Sequence, residues 1–381
     1  MTGEAQGRLD VLRVITRLNV GGPARHALLL SKGLEPQYSS LLVAGTPDSS
    51  EGELGDPQVK PIKVSLVRPV RPAQDLAAFR GLRKLMSYHQ PTIVHSHMAK
   101  AGALARLAAL TTKQRPLLVH TFHGHVFNGY FGAATQRAIV RSERWLARRT
   151  DVLIAVSEEV RDALVDHGVA GATRVEVIPL GLDLSSHLAI ERPAGRLRTE
   201  LGIPPDAPLI ASVARLVPIK DHQTLLEAAA RLDGVHVAIV GDGPCRPDLE
   251  AQARELGIGD RIHFLGWRSD IAALLSDVDV VVLTSRNEGT PVALIEALAC
   301  ARAVVSTDVG GVRSVVQHEQ TGLLVPAGDA SAVASAVARL LASPELRMRY
   351  GEVGREYVRS HFSHERLLLD IALLYEDLIG R

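Results

Sequence analysis

The chain has 381 residues, with 43 Lys and Arg against 42 Asp and Glu, a hydrophobic fraction of 46% and a charged fraction of 22%. This length fits two domains better than one core, and the near-zero net charge argues against a strongly basic nucleic-acid-binding protein. Two cysteines, Cys245 and Cys300, are too few for a disulfide scaffold or a zinc site of their own. No apolar run reaches the ~20 residues of a membrane span, and the polar N-terminus lacks a signal-peptide core, so we expect a cytoplasmic protein.

The overall charge balance conceals an asymmetry between the two halves of the chain. Residues 1–190 contain 23 Lys and Arg against 16 Asp and Glu, whereas residues 191–381 contain 20 against 26. The first half is therefore net positive and the second net negative. Opposite signs indicate different partners for the two halves.

Short apolar, β-branched runs alternate with helical patterns in the first half. The predicted strands are Val11–Leu18, Ser40–Ala44, Thr92–His97, Leu117–Phe122, Asp151–Val156 and Val175–Leu180. The predicted helices are Ala24–Leu34, Asp75–His89, Ala101–Thr111 and Ala134–Arg149. This alternation is typical of a parallel sheet covered by helices.

The alternation pauses over residues 185–208, which contain four prolines and resemble a linker, and then restarts. The predicted strands of the second half are Leu209–Ala214, Val235–Val240, Ile262–Leu265, Val280–Thr284, Val304–Thr307 and Gly322–Val325. Its predicted helices are His222–Leu232, Arg246–Leu256, Pro291–Ala301 and most of Asp329–Ile379.

The pattern predicts an α/β protein of two Rossmann-like, doubly wound domains that face each other across a cleft. We place the N-terminal domain at residues 1–190 and the C-terminal domain at 191–362. The last helix, 363–381, is expected to cross back onto the first domain. In such sheets ligands bind beyond the carboxyl ends of the strands.

Glycines and charged side chains follow several predicted strands. Gly21 and Gly22 end the first strand and precede a helix, where free backbone N–H groups and the helix dipole favour an anion. The pattern is neither a dinucleotide-binding glycine motif nor a P-loop. Arg215 and Lys220 follow the first strand of the second domain, where they are placed to hold a diphosphate; solvated loop side chains are the other explanation.

Two glutamates, Glu288 and Glu296, lie eight residues apart after strand Val280–Thr284. Glu296 falls inside an otherwise apolar helix, where a carboxylate needs a polar partner. Sugar or ribose hydroxyls would suit it, and a structural ion pair or an exposed helix face is the other explanation.

Together with their context, these residues resemble the retaining glycosyltransferases of family 4, which have the GT-B architecture. The resemblance covers nearly the whole chain, from about Leu12 to Phe362. Its segments are Gly21–Gly22, His95–Gly102, His120–Gly124, Ala155–Glu158, Val177–Gly181, Ala214–Leu216 with Lys220, Val240–Pro244, Phe264–Gly266, Glu288 with Glu296, Ala297–Cys300, Asp308–Gly311 and Thr321–Val325. The chain departs from the family pattern at Pro291, which lacks an N–H, and at Ala301–Ala303.

The resemblance implies that the domain at 1–190 is the acceptor side and that the domain at 191–362 binds the nucleotide sugar. It also implies a role for each matching residue of the second half. Arg215 and Lys220 would hold the donor diphosphate, Glu296 would accept the ribose hydroxyls, and Glu288 would contact the donor sugar. Further donor contacts would come from backbone N–H groups, those of Gly289, Thr290 and Val292.

In the first half the resemblance implies that Gly22 lets the glycine loop approach the phosphate. His123 would lie at the reacting centre, with His125 as its rival. Lys100, at a helix start, would contact the acceptor or a phosphate.

No metal and no other cofactor is expected. Asp277-Val278-Asp279 imitates a metal-binding motif of other glycosyltransferases, but it precedes strand Val280–Thr284 and so lies at the wrong end of the sheet. The histidines of two strands, His95, His97, His120, His123 and His125, have no Cys or acidic ligand beside them.

Four arginines of the helix Ala134–Arg149, at spacings of four, three and four residues, form one face: Arg137, Arg141, Arg144 and Arg148. Such a face is either solvated or placed on anionic lipid. The positive first half favours a peripheral position at the inner face of the plasma membrane.

The sequence therefore predicts a metal-independent, retaining glycosyltransferase that uses a nucleotide sugar, with a UDP-sugar ahead of GDP-mannose. The acceptor would be a sugar or a lipid-linked molecule in bacterial surface glycan synthesis. The alternatives are a GDP-mannose-dependent α-mannosyltransferase, a GT-B epimerase or phosphorylase, and a non-catalytic nucleotide-sugar-binding protein.

Overall fold

The structure is a computed structural model, and it describes residues 10–19, 21–35, 37–47, 52–124, 133–190 and 195–381. The chain forms two compact units. The first contains Met1–Leu182 and His364–Arg381, and the second contains Asp183–Ser363. The domain limits predicted from the sequence are 1–190, 191–362 and 363–381, and they stay predictions.

The first unit is built on a parallel sheet of seven strands in the order β3-β2-β1-β4-β5-β6-β7. Its strands are β1 Val11–Arg17, β2 Ser40–Gly45, β3 Ile62–Lys63, β4 Ile93–His97, β5 Leu117–Phe122, β6 Val152–Ala155 and β7 Val175–Val177. The helices between them are α1 Gly22–Gly33, α2 Pro72–His89, α3 Ala99–Ala109, α4 Ala133–Ala147 and α5 Glu158–Asp166. Because β1 pairs with both β2 and β4, the strand order reverses at β1, and the sheet opens there at its carboxyl edge.

The second unit contains a parallel sheet of six strands in the order β10-β9-β8-β11-β12-β13. Its strands are β8 Leu209–Val213, β9 His236–Val240, β10 Ile262–Gly266, β11 Val280–Leu283, β12 Ala303–Thr307 and β13 Gly322–Val325. Its helices are α6 Ser185–Leu188, α7 Arg196–Glu200, α8 His222–Ala229, α9 Arg246–Glu255, α10 Ile271–Ser276, α11 Val292–Ala299, α12 Ala330–Leu341 and α13 Pro344–His361. Both sheets thus have the doubly wound, Rossmann-like order that the sequence predicts.

The segment predicted as a linker and domain entry contains two short helices, α6 and α7, and belongs to the second unit. Residue Asp277 fixes the start of α7, because its carboxylate accepts hydrogen bonds from the backbone N–H groups of Gly195 and Leu197, both at 2.7 Å. Helices of one turn have no measurable apolar periodicity, and their stability comes from such tertiary contacts.

The C-terminal helix, α14 His364–Gly380, belongs to the first unit. The apolar face of this helix consists of Leu367, Ile371, Tyr375 and Leu378. These side chains are buried in one hydrophobic cluster together with residues of β1, α1, β4 and β5. Arg366 also donates hydrogen bonds to the carbonyl oxygens of Pro179 and Leu180 at 2.6 and 3.0 Å. The predicted return of this helix to the first domain is confirmed.

Candidate functional site

The second unit gathers charged side chains at the point where its strand order reverses. Strand β8 pairs with β11 through Ile210 and Val280, so the loops that follow the two strands are neighbours. Arg215 and Lys220 lie in the first loop and Glu288 lies in the second. This is the edge where doubly wound sheets bind their ligands.

Lys220 and Glu288, which the sequence analysis treats as separate contacts, are paired. The Lys220 ammonium lies 2.5 Å from Oε1 of Glu288, and the Ser285 hydroxyl donates to the same oxygen at 2.6 Å. Only 21% and 9% of the two charged side chains are exposed. The other oxygen, Oε2, accepts no hydrogen bond from the described residues and is left for a ligand.

Arg215 is half-buried in the same loop. Within the described part of the chain, its guanidinium forms no ion pair and no hydrogen bond. A half-buried arginine with five unused donors is suited to a bidentate contact with phosphate or carboxylate.

The N-terminus of α11 adds uncharged donors beside Glu288. The helix begins at Val292, and the N–H groups of Val292 and Ala293 bond to no described residue, because no carbonyl of the helix precedes its first turn. The first bonded N–H is that of Leu294, which donates to the carbonyl oxygen of Pro291. The Thr290 hydroxyl is buried and forms no hydrogen bond within the described ranges. Free N–H groups at a helix start form an anion-binding site.

Glu296 lies in the second turn of α11 and is 6% exposed. Around it, Leu294, Ile295, Ala297 and Leu298 are fully buried, so the carboxylate is held at the edge of an apolar layer. Glu296 therefore lies inside an apolar helix, as predicted, and the alternative of an exposed helix face is excluded. Its role toward a ribose stays a prediction.

The backbone of Glu288 is fixed by the turn after β12. Gly311 donates a hydrogen bond to the Glu288 carbonyl at 3.1 Å, and Gly310 has a φ of +49°. A Cβ at Gly310 would lie 2.1 Å from that carbonyl oxygen, so only glycine fits. The glycine pair of the Asp308–Gly311 motif therefore positions the loop that presents Glu288.

In the first unit, Gly22 is the first residue of α1, and Lys100 is the second residue of α3. The Lys100 ammonium lies 2.5 Å from Asp75 and also donates to the carbonyl oxygen of Pro69. Its charge is therefore neutralised by α2. The predicted contact with an acceptor or phosphate stays a prediction, and the structure gives Lys100 a structural partner that the sequence analysis lacked.

His123, the predicted residue of the reacting centre, follows β5 and belongs to a group of imidazoles. Its Nε2 lies 3.0 Å from Nδ1 of His97 on β4, and its ring contacts that of His26 on α1. Burial lowers the pKa of His123 to about 3 and holds those of His26 and His97 well below the ordinary value. All three rings are therefore neutral near pH 7.

His26 was missed, because one histidine on the apolar face of a helix gives no sequence signal. Nitrogen atoms of His26, His97 and His123 all lie within 4.8 Å of one another, so these three imidazoles have the ligand type and the spacing that a metal site would need. The sequence analysis grouped His97 and His123 with His95 and His120 instead. His95 and His120 bond to Thr121 and to Ser96, and His125 lies outside the described residues.

The two aspartates that imitate a metal-binding motif have structural partners. Asp277 caps α7, and Asp279 lies 3.0 Å from Arg198 and accepts a hydrogen bond from the N–H of Leu209 at 2.9 Å. Both precede β11, at the edge opposite Glu288, as predicted.

The predicted basic face lies on α4 and just beyond it. Its arginines are all exposed: Arg137, Arg141, Arg144 and Arg148. Arg144 donates two hydrogen bonds to the carbonyl oxygen of His167, at 3.0 and 2.6 Å, so it also ties α4 to the end of α5. A groove of about 670 Å³ lies against this face.

No helix in the described ranges is long and apolar enough to cross a bilayer.

Two family models match the chain: Glycosyltransferase Family 4 over residues 20–186 and Glycosyl transferases group 1 over residues 195–357. A D-inositol 3-phosphate glycosyltransferase from Corynebacterium glutamicum (strain R) is 33% identical over 330 residues, 80% of this chain and 77% of that protein. The lipopolysaccharide core biosynthesis glycosyltransferase LpsE from Rhizobium meliloti (strain 1021) is 33% identical over 220 residues. That alignment spans 58% of this chain and 62% of LpsE.

Solved structures resemble the whole chain. Sucrose-phosphate synthase from Thermosynechococcus elongatus superposes with a TM-score of 0.84 at 24% identity, over 97% of this chain and 99% of that one. Anabaena HepE, solved with UDP and glucose, gives a TM-score of 0.82 at 22% identity, over 97% and 99% of the two chains. These likenesses confirm the predicted GT-B fold.

Proposed function

This chain belongs to glycosyltransferase family 4, and we propose that it transfers a sugar from a UDP-sugar to a sugar or lipid-linked acceptor of a bacterial surface glycan or glycolipid. The HepE complex with UDP and glucose supports the choice of nucleotide, and the name of LpsE supports the class of product. A GDP-mannose-dependent α-mannosyltransferase is the second candidate, because the charged groups of the site would hold the diphosphate of either donor.

The observation that carries the proposal is the convergence of Arg215, Lys220 and the free N–H groups of α11 at one reversal point of the sheet. Their charges and dipoles suit the diphosphate of a nucleotide sugar. Oε2 of Glu288 would accept a sugar hydroxyl, and Glu296 would accept the ribose hydroxyls. Gly289 and Thr290 would add contacts to sugar and phosphate.

The same groups account for the chemistry. When the bond between the sugar and the diphosphate breaks, negative charge grows on the diphosphate. Arg215, Lys220 and the N-terminus of α11 are fixed before the reaction and would stabilise that charge. We therefore propose that transfer needs no metal, and the expected result is full activity in EDTA.

Retention of configuration is proposed through attack on the same face as the departing diphosphate. Glu288 is not the nucleophile in this proposal, because its Oε1 is engaged by Lys220 and Ser285 and its Oε2 would accept a sugar hydroxyl. The leaving phosphate would help to deprotonate the acceptor hydroxyl. An α-linked donor should give an α-linked product by NMR, and a β-linked product would contradict this route.

The function is tested by a thermal-shift panel of UDP, GDP and ADP sugars. We expect one UDP-sugar to raise the melting temperature of the wild type, and Glu296→Ala to weaken this effect because the ribose loses its acceptor. Glu255→Ala, at the exposed end of α9, is the matched control. A wild type that no nucleotide sugar stabilises would contradict the proposal, and binding without turnover would favour the non-catalytic alternative.

We also propose that the basic face of α4 holds the protein peripherally on anionic lipid at the inner face of the plasma membrane. Changing its four arginines to glutamine should lower the affinity for anionic vesicles by about 10²–10³-fold, because each basic side chain near such a surface contributes roughly 1 kcal/mol of binding free energy. Vesicles of neutral lipid are the control. Unchanged binding of the folded variant to anionic vesicles would remove this proposal.

A further inference from the structure

The imidazole group of the first unit consists of His26, His97 and His123. In the hydrogen bond between His97 and His123, the ring that donates can be identified from the chemistry of neutral imidazole. His97 Nδ1 and His123 Nε2 are 3.0 Å apart. Both rings are neutral, because burial lowers the pKa of each. A neutral imidazole has one N–H donor and one acceptor nitrogen, so one ring donates and the other accepts.

The buried second nitrogen of His97 decides between the two directions. His97 is 0% exposed, and no residue that the structure describes forms a hydrogen bond with its Nε2. If His123 donated, His97 would have to carry its proton on that nitrogen, as a buried N–H without an acceptor. Orphaned buried N–H groups are rarer in proteins than unused acceptors, so His97 is the donor.

The position of His97 is also set by a second network of hydrogen bonds, which joins its neighbour His95 to the C-terminal helix. Its ring lies against that of His95, with the centroids 4.3 Å apart. His95 Nδ1 lies 2.6 Å from the Tyr375 hydroxyl, and His95 Nε2 lies 2.7 Å from the Thr121 hydroxyl. Arg13 donates to the same tyrosine oxygen at 3.4 Å, so the tyrosine O–H must point to His95. The C-terminal helix thereby braces the histidines of β4.

We propose that His97 is a positioning residue, which donates from Nδ1 to His123 Nε2 and holds His123 as the tautomer with its proton on Nδ1. His123 is partly exposed, and with Nε2 occupied, Nδ1 is the nitrogen that can meet a ligand. His123 would then offer an N–H to a substrate oxygen, as a neutral hydrogen-bond donor and not as a base. The contact with the donor sugar rests on the proposed function, whereas the tautomer does not.

The tautomer is measured by ¹⁵N NMR on the full chain with labelled histidine, without substrate and in EDTA. His123→Asn identifies the His123 signals. We expect wild-type His123 to be neutral with its proton on Nδ1, although the side chain of free histidine favours Nε2. His97→Asn, whose amide N–H can replace Nδ1, should keep that tautomer, and His97→Leu should shift it toward Nε2. A proton on Nε2 of wild-type His123 would overturn the proposal, whether or not the variants fold.

A second readout separates positioning from structural support. With the nucleotide sugar that stabilises the wild type, His97→Leu should lower kcat/KM by about tenfold, the worth of one hydrogen bond, while His97→Asn stays within about threefold. The affinity for the free nucleoside diphosphate, which lacks the sugar, should be unchanged in both. Equal losses in both variants, or lost nucleotide affinity, would contradict a positioning role. A wild type without turnover would count against the proposed function alone, because the NMR result stands without substrate.

Discussion

Replacing Arg215 with alanine is expected to lower kcat by about 10²–10³-fold, the usual loss when one fixed donor to a developing negative charge is removed. Arg215 is half-buried and has no partner in the described part of the chain, so its charge is available to the departing diphosphate. The folded state should lose little stability, since no ion pair is broken. Steady-state kinetics with the donor identified by thermal shift, together with a melting curve, measure both effects.

Two further variants make the result specific. Arg215→Lys retains the charge but not the planar pair of donors, and we expect an intermediate loss of about tenfold. Arg339→Ala removes an exposed arginine that pairs with Glu319 at 2.7 Å and should leave turnover unchanged. If Arg215→Ala stays within threefold of the wild type, the diphosphate is held by other groups.

The strands were predictable because buried parallel strands appear in a sequence as continuous apolar runs. Most helices were predictable from the helical patterns between those runs. Strand β11, predicted as Val280–Thr284, differs from the structure by one residue at its end. The positions of Arg215 and Glu288 beyond two strands also followed from the alternation, since the carboxyl ends of parallel strands share one edge.

The pairing of side chains was not predictable in the same way. Lys220 and Glu288 are 68 residues apart, and their contact depends on the strand order and on loop shape. His26 joins His97 and His123 only because α1 packs on β1 and β2 of the same sheet, in which β4 and β5 are the next strands after β1. A single sequence contains the residue types of such groups but not the geometry that joins them.

A second large effect is expected on stability, at the buried ion pair between α3 and α4. Arg106 and Glu143 are 1% and 4% exposed, and Nη2 of the arginine lies 2.7 Å from the glutamate. The Arg106 Nε also donates to the carbonyl oxygen of Gly102 at 2.9 Å. Because one partner alone would be an uncompensated charge away from water, Glu143→Ala should cost about 3–5 kcal/mol.

Urea and thermal unfolding of a mutant cycle test this stability prediction. The double variant Arg106→Met with Glu143→Leu replaces both charges by apolar side chains and should be more stable than Glu143→Ala, since no charge is left buried. Glu356→Ala breaks an exposed pair with Arg359 on α13 and should change the unfolding curve little. Equal losses in the double variant and in Glu143→Ala would mean that packing against α4, and not the buried charge, sets the stability of this contact.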